Sequence, residues 1–377
     1  MRSISRPVPM APAFSRLGAA DAIKGLACLL IVWHHLAFYG PMSDVARPLA
    51  PGLIDWLYAD ARLAVQVFLA VSGFLQARGM GLGRWPAGAP LHWVGRRYVR
   101  LVVPYSVALL LAVLAAACAR AALGDHPAVP AAPQWPQLLA HLLLLQDLLG
   151  IDALSAGVWY VAIDFQLFVL TVVLCAAGRS LQRRWPGLRA PEVWAVAGAA
   201  AASLLWFNRD ARLDATALYF IGAYGLGLLA GWATRSARPV PALAAVAALG
   251  LAALAIDWRG RIAVALATAL LLALLQRHGL PRGWRVPQVL ERLGQASYAV
   301  FLVHFPVMLL VASVWSTLWP TQPLAHALGM AVAFALSLLA GRQLHRLETR
   351  LARPRMALGV QLALVATSLL VIRLSAT

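Results

Sequence analysis

The sequence predicts an all-α, polytopic integral membrane protein of about eleven transmembrane helices, with its N-terminus in the cytoplasm. Hydrophobic residues fill 62% of the 377 positions and charged residues only 12%, too few to cover the surface of a soluble protein. Mean hydropathy is +0.75. Apolar runs close to the ~20 residues that a helix needs to cross a bilayer recur from end to end. The stretches between these runs alternate in charge, which fixes an orientation.

Spans are expected at about 20–39, 57–77, 98–119, 157–177, 192–207, 216–233, 239–256, 260–276, 295–317, 324–341 and 356–374. The N-terminus and the loops 78–100, 178–191, 234–239, 277–292 and 342–355, taken with Lys24, hold 24 of the 32 basic residues. The opposite loops hold most of the acids, among them Asp44, Asp55, Asp125, Asp147, Asp152, Asp210, Asp214 and Asp257. By the positive-inside rule the first set is cytoplasmic. The net charge of +18 is therefore a topology signal, and no nucleic-acid partner is expected. The run Leu138 to Leu149 is only a dozen residues long and would break the alternation, so it reads as a re-entrant or interfacial piece on the outer side. Residues 1–19 are expected to form a cytoplasmic segment, and 20–377 one membrane domain. Cys28, Cys118 and Cys175 stand singly without metal-ligand spacing, so no metal is expected.

The first span carries ionisable groups, which are costly inside a bilayer and mark function by default. Lys24 is the only lysine among the 32 basic residues, and His34 and His35 follow near the other end. Eleven residues make almost three helical turns, so Lys24 and His35 share a face and lie about 16 Å apart along the axis. The bland alternative is a snorkelling lysine with an interfacial histidine pair. A histidine facing the bundle interior can act as a general base, and a lysine on its face can hold an anionic group.

Four later segments add chemistry. Val67 to Phe74 includes the small residues Ser72 and Gly73, which permit close helix approach or leave room for a ligand. Arg96, Arg97 and Arg100 open the third span ahead of Pro104, in a spacing able to hold phosphate oxygens, although topology alone also places arginines there. The fourth span opens with Trp159, the intramembrane acid Asp164 and Gln166; a structural ion pair and a catalytic role compete for that acid. Gly294 to Pro306 puts Ser297 and His304 on one helix face, beside a proline able to kink the helix.

Together these five segments resemble the acyltransferase-3 family of membrane O-acyltransferases. The basic residue with histidine eleven positions on is similar to Lys24 and His35, and the stretch ending in Ser-Gly-Phe to Phe68–Phe74. The Arg-Arg-x-x-Arg element with a following proline is similar to Arg96, Arg97, Arg100 and Pro104, and the tryptophan-to-acid segment to Trp159–Asp164. The Gly-x-x-Ser-Tyr…His-x-Pro element is similar to Gly294, Ser297, Tyr298, His304 and Pro306. Two departures stand out: the family more often has arginine at Lys24 and glutamate at Asp164.

The resemblance implies transfer of an acyl group, most often acetyl, from cytosolic acyl-CoA to a hydroxyl of a cell-surface glycan or glycolipid. It places the protein in a bacterial inner membrane. His35 is then the expected general base, with an acyl-histidine relay as the variant, and Asp164 is expected to orient or charge-stabilise it. Lys24, Arg96, Arg97 and Arg100 would hold the phosphates of coenzyme A. His34, Ser72, Trp159, Gln166, Ser297 and His304 would line the substrate cavity. The competing class is a transporter or lipid or glycan flippase, for which inverted halves with matching broken helices would be the signature.

Overall fold

The structure is a computed structural model, and it describes residues 14–80, 90–124, 126–351 and 354–375. The expected N-terminal segment lies outside these residues except for its last six. Those six already belong to the first helix, α1, Phe14–Phe38. Every regular element among the described residues is helical.

The bundle continues with α2 (Met42–Ala46), α3 (Pro51–Ala59), α4 (Ala64–Gly79), α5 (Pro90–Leu123), α6 (Trp135–Leu142) and α7 (Val158–Arg184). Then come α8 (Pro191–Leu205), α9 (Ala217–Ala233), α10 (Pro239–Ile256), α11 (Gly260–His278), α12 (Gln288–Leu318), α13 (Pro323–Leu351) and α14 (Pro354–Ser375). All eleven expected spans fall on helices. Eight helical stretches among the described residues are long and apolar enough to cross a membrane. Of the others, α8 and α9 are shorter, with 15 and 17 residues, and α14 carries an apolar stretch at Gly359–Arg373.

The second expected span is not one rod. Its chain forms α3, a single 3-10 turn at Ala61–Leu63 and then α4, broken where Asp60 and Arg62 interrupt the apolar pattern. α3 buries Ile54 and Leu57 and leaves Leu53, Trp56 and Tyr58 exposed, so it lies along the rim of the bundle. At the centre, α9 buries every residue but Leu218 and is surrounded by α4, α8 and α11. Space decides this crossing, since a Cβ on Gly73 of α4 would collide with the Tyr224 carbonyl oxygen of α9. Glycine removes that obstacle and lets the two backbones touch.

α1 and α12 run parallel and in contact. Asp21 meets Gly294, Cys28 meets Ser297, His35 meets His304 and Tyr39 meets Phe305, in rising order along both helices. The approach is again set by glycine: Cβ atoms on Gly25 and Gly294 would strike the backbone of Leu290 and Asp21.

The connection from α5 to α7 is re-entrant. Near its start, the Arg120 guanidinium donates to the Pro130 carbonyl at 2.9 Å. Further on, the Tyr98 hydroxyl donates to the Leu142 carbonyl at 2.6 Å. Arg120 and Tyr98 are 22 residues apart on one helix, or about 33 Å along the axis, so the connection travels back along most of α5. At eight residues, α6 spans about 12 Å and cannot cross a bilayer. His141 pins the returning arm: its Nδ1–H donates to the Gln137 carbonyl at 2.7 Å, and its Nε2 accepts the Leu154 amide at 3.1 Å. Burial pushes this imidazole down to a pKa of about 4, so the ring is neutral.

One consequence is the starting depth of α7. Gly157 precedes it with φ of 77°, a left-handed conformation that favours glycine, and packs against the Phe301 ring, where a Cβ would have no room. α7 therefore begins inside the bundle at the level of Phe301, one helical turn from His304.

Candidate active site

Two buried polar pairs organise the interior. The first joins α1 to α12: Nδ1 of His35 and Nε2 of His304 lie 2.6 Å apart. The ring centroids are 4.7 Å apart and the planes are tilted by only 11°. The centroid distance exceeds the nitrogen distance by roughly two ring radii, so the imidazoles lie edge to edge, with the bond near both planes. Nδ1 of His304 is held 2.6 Å from the Phe301 carbonyl oxygen. The remaining nitrogen of His35 has no hydrogen-bond partner among the described residues.

The second pair joins α5 to α7. The Arg97 guanidinium donates to the Asp164 carboxylate, which is 5% exposed, and lies over the Phe168 ring at 5.6 Å. Tyr160, Tyr224 and Tyr298 carry their hydroxyls near this pair. The Tyr298 hydroxyl donates to the Leu101 carbonyl at 2.9 Å, and that of Tyr160 meets Ser72 of α4. One donor of Arg97, Nε, is buried and unpartnered among the described residues. Tyr160 and Phe301, with ring centroids 5.5 Å apart, stand between the ion pair and the histidines.

The expected site residues therefore separate into groups. His35 faces α12, where it meets His304. Lys24 pairs with Asp21 at 2.8 Å and stays partly exposed. Asp164, expected to orient His35, instead pairs with Arg97. The cause is the re-entrant connection, which starts α7 deep in the bundle and carries the acid to the level of the arginine. For the same reason the arginine cluster divides, with Arg97 turned inward while Arg96 and Arg100 stay exposed. His34 turns away from His35, and its Nδ1–H donates to the Leu57 carbonyl of α3 at 3.0 Å.

Gln166 is spent on helix capping, since its side-chain oxygen accepts the Ala217 amide at the start of α9 at 3.0 Å. Trp159 packs against Phe220 with centroids 5.7 Å apart. The Ser297 hydroxyl donates to the Gly294 carbonyl at 2.8 Å within its own helix. Sequence reasoning passed over Tyr160, Tyr224 and Phe301. Tyr160 was within reach of it, lying one helical turn before Asp164 on the same face, whereas nothing in the residues around Tyr224 marks it. Among the described residues, no group of three or more His, Cys, Asp or Glu side chains is placed to hold a metal ion.

The family model Acyl_transf_3, described as an acyltransferase domain, matches residues 17–342. The chain belongs to that family. The match covers α1 to most of α13 and so includes both polar pairs. No curated protein and no solved structure matches the chain. The acyltransferase is thus a membrane protein, all-helical among the described residues, whose family-matched region encloses a histidine pair and an ion pair.

Proposed function

We propose that the protein is a membrane O-acyltransferase that moves an acyl group, acetyl in the simplest case, from cytosolic acyl-CoA to a hydroxyl of a cell-surface glycan or glycolipid. The observation that carries this reading is the His35–His304 pair, a buried imidazole held at one nitrogen and, among the described residues, unbonded at the other. Such a ring is equipped to accept a proton. In the proposed reaction Nε2 of His35 takes the acceptor's hydroxyl proton as its oxygen attacks the thioester carbonyl. An ester C–O bond forms, the C–S bond breaks, and the thiolate of coenzyme A leaves with the proton returned by His35.

Lys24, Arg96 and Arg100 support a cytosolic entry for coenzyme A. They are charged and at least partly exposed, and the loops at that end of the bundle carry most of the basic residues. Arg97 contributes through its unspent Nε donor, with Asp164 holding the guanidinium in place. Ser72, Trp159, His34, Gln166 and Ser297 are assigned to the walls around acyl group and acceptor. The setting proposed is a bacterial inner membrane with the N-terminus in the cytoplasm.

The test is release of free CoA thiol from acetyl-CoA by purified protein in detergent, with a panel of glycan acceptors. Acceptor-dependent release that is lost in His35→Ala is the expected result. Normal transfer by His35→Ala overturns the assignment of the base. If no glycan stimulates acyl-CoA consumption, the acyltransferase-to-glycan reading falls and a transport role takes its place.

A further inference from the structure

The histidine pair has a direction. A carbonyl oxygen has no hydrogen to give, so the 2.6 Å contact between Phe301 and Nδ1 of His304 requires an Nδ1–H donor. The opposite tautomer would set two lone pairs against each other at that distance. In the neutral ring Nε2 of His304 is then bare and accepts, and Nδ1 of His35 must carry the proton that bridges the 2.6 Å gap. Counting along the chain of bonds leaves Nε2 of His35 as the one unprotonated, unbonded nitrogen of the two rings. His35 also retains 6% exposure against 1% for His304, so the bare nitrogen belongs to the more accessible ring.

Resting on the reading of His35 as proton acceptor, we infer that His304 is a positioning residue that fixes the tautomer of His35 and so presents Nε2 as a lone pair. In the serine-histidine-aspartate arrangement a carboxylate does this by accepting the Nδ1–H bond, and a wrong tautomer costs about 10⁴ in kcat. Here the intramembrane acid Asp164 is occupied by Arg97. An imidazole anchored to a main-chain carbonyl takes its place. When Nε2 of His35 accepts a proton, Nδ1–H stays bonded to His304, and the bond becomes charge-assisted and stronger. No ionised carboxylate is needed beside His35.

The anchor has its own support. His304 and Phe301 lie on one helix, so the acceptor oxygen is fixed relative to the ring. The Ser337 hydroxyl of α13 lies 3.5 Å from the His304 carbonyl, and a Cβ on Gly341 of the same helix would strike the Val300 backbone, so α13 is pressed against this turn. The ring can therefore hold His35 at a set angle.

The deciding measurement is ¹⁵N NMR of the full chain in detergent, with all histidine ring nitrogens labelled and the His35 signals assigned by their loss in His35→Ala. The expected result is a protonated Nδ1 and a bare Nε2 at His35, with mixed tautomers in His304→Phe. A proton on Nε2 of wild-type His35, or an unchanged tautomer in His304→Phe, overturns the proposal. Turnover of acetyl-CoA with N-acetylglucosamine oligomers as hydroxyl probes gives the second readout. His304→Phe is expected to lose 10²- to 10⁴-fold in kcat with KM for acetyl-CoA within twofold, roughly the range of a mis-set base. His304→Gln, whose amide can both accept from His35 and donate to Phe301, is expected to recover to within about tenfold of wild type.

A purely structural His304 would instead show equal losses in Phe and Gln, accompanied by unfolding. Should His304→Phe fail to fold, the wild-type tautomer alone decides. Failure of the underlying reading is distinct, since normal turnover by His35→Ala rejects His35 as base whatever the NMR spectrum shows.

Discussion

His141 in the re-entrant connection and His304 in α12 make the same two bonds. Each donates from Nδ1 to a carbonyl of its own helix and accepts at Nε2. They differ in what stands at the far end. The donor to His141 is the backbone amide of Leu154, so the chain of bonds stops and the ring serves as a pin. The donor to His304 is a second imidazole, so the chain continues to a nitrogen with no hydrogen-bond partner among the described residues. A buried histidine is a fastener when both nitrogens end on backbone, and a chemical group when one path ends on a lone pair.

The sharpest way to break this comparison is to remove the terminal ring. His35→Ala is expected to reduce kcat for CoA thiol release by 10²- to 10⁴-fold while leaving the thermal unfolding transition nearly in place. An equally large fall in stability, with activity per folded molecule preserved, would make His35 a second fastener. Next in size is the ion pair. Asp164→Ala leaves Arg97 charged, partly buried and uncompensated, and is expected to cost about 2–4 kcal/mol in detergent unfolding. The double replacement Arg97→Met with Asp164→Leu should regain most of that stability. If the double variant is also fully active, the pair is architectural and contributes nothing to transfer.

The fastener itself predicts a pH effect. His141 has a folded pKa of about 4, below its ordinary 6.5, so the unfolded chain binds the extra proton between those values. Its stabilising contribution is complete above pH 6.5 and falls away as pH drops towards 4, by at most about 3 kcal/mol. Unfolding midpoints measured from pH 7.5 to 4.5 should follow this slope, and His141→Phe should flatten it. The same replacement strands the Leu154 amide and should cost about 1–3 kcal/mol at pH 7.5, with kcat unchanged. Similar in size is Gly294→Ala, which forces α1 away from α12 at Asp21 and is expected to cost about 1–3 kcal/mol. It should nonetheless lower kcat, because it pushes the two imidazoles apart; unchanged turnover would show that α1 and α12 adjust independently near the histidines.

The helices were legible because a bilayer demands long apolar runs, and that demand is written locally in the residues. What could not be read was depth. Whether Asp164 meets His35 or Arg97 depends on where α7 begins, and that is set by main-chain contacts such as Tyr98 to Leu142, which have no side-chain signature at the receiving end. The break between α3 and α4 is marked in the sequence only by Asp60 and Arg62, a signal that averaging the hydropathy over the whole stretch erases. His34 and His35 differ only by the turn of one residue, and here the pitch separated them as expected: one bonds to the rim helix α3, the other reaches across to α12.

The two imidazoles are 269 residues apart in the chain. During synthesis His35 enters the membrane with the first helix, while His304 follows only after most of the bundle has been made. Throughout that interval the nascent protein carries a histidine whose proton arrangement is unset. If His304 sets the tautomer of His35 as proposed, the base is complete only once the late helix has packed beside the first.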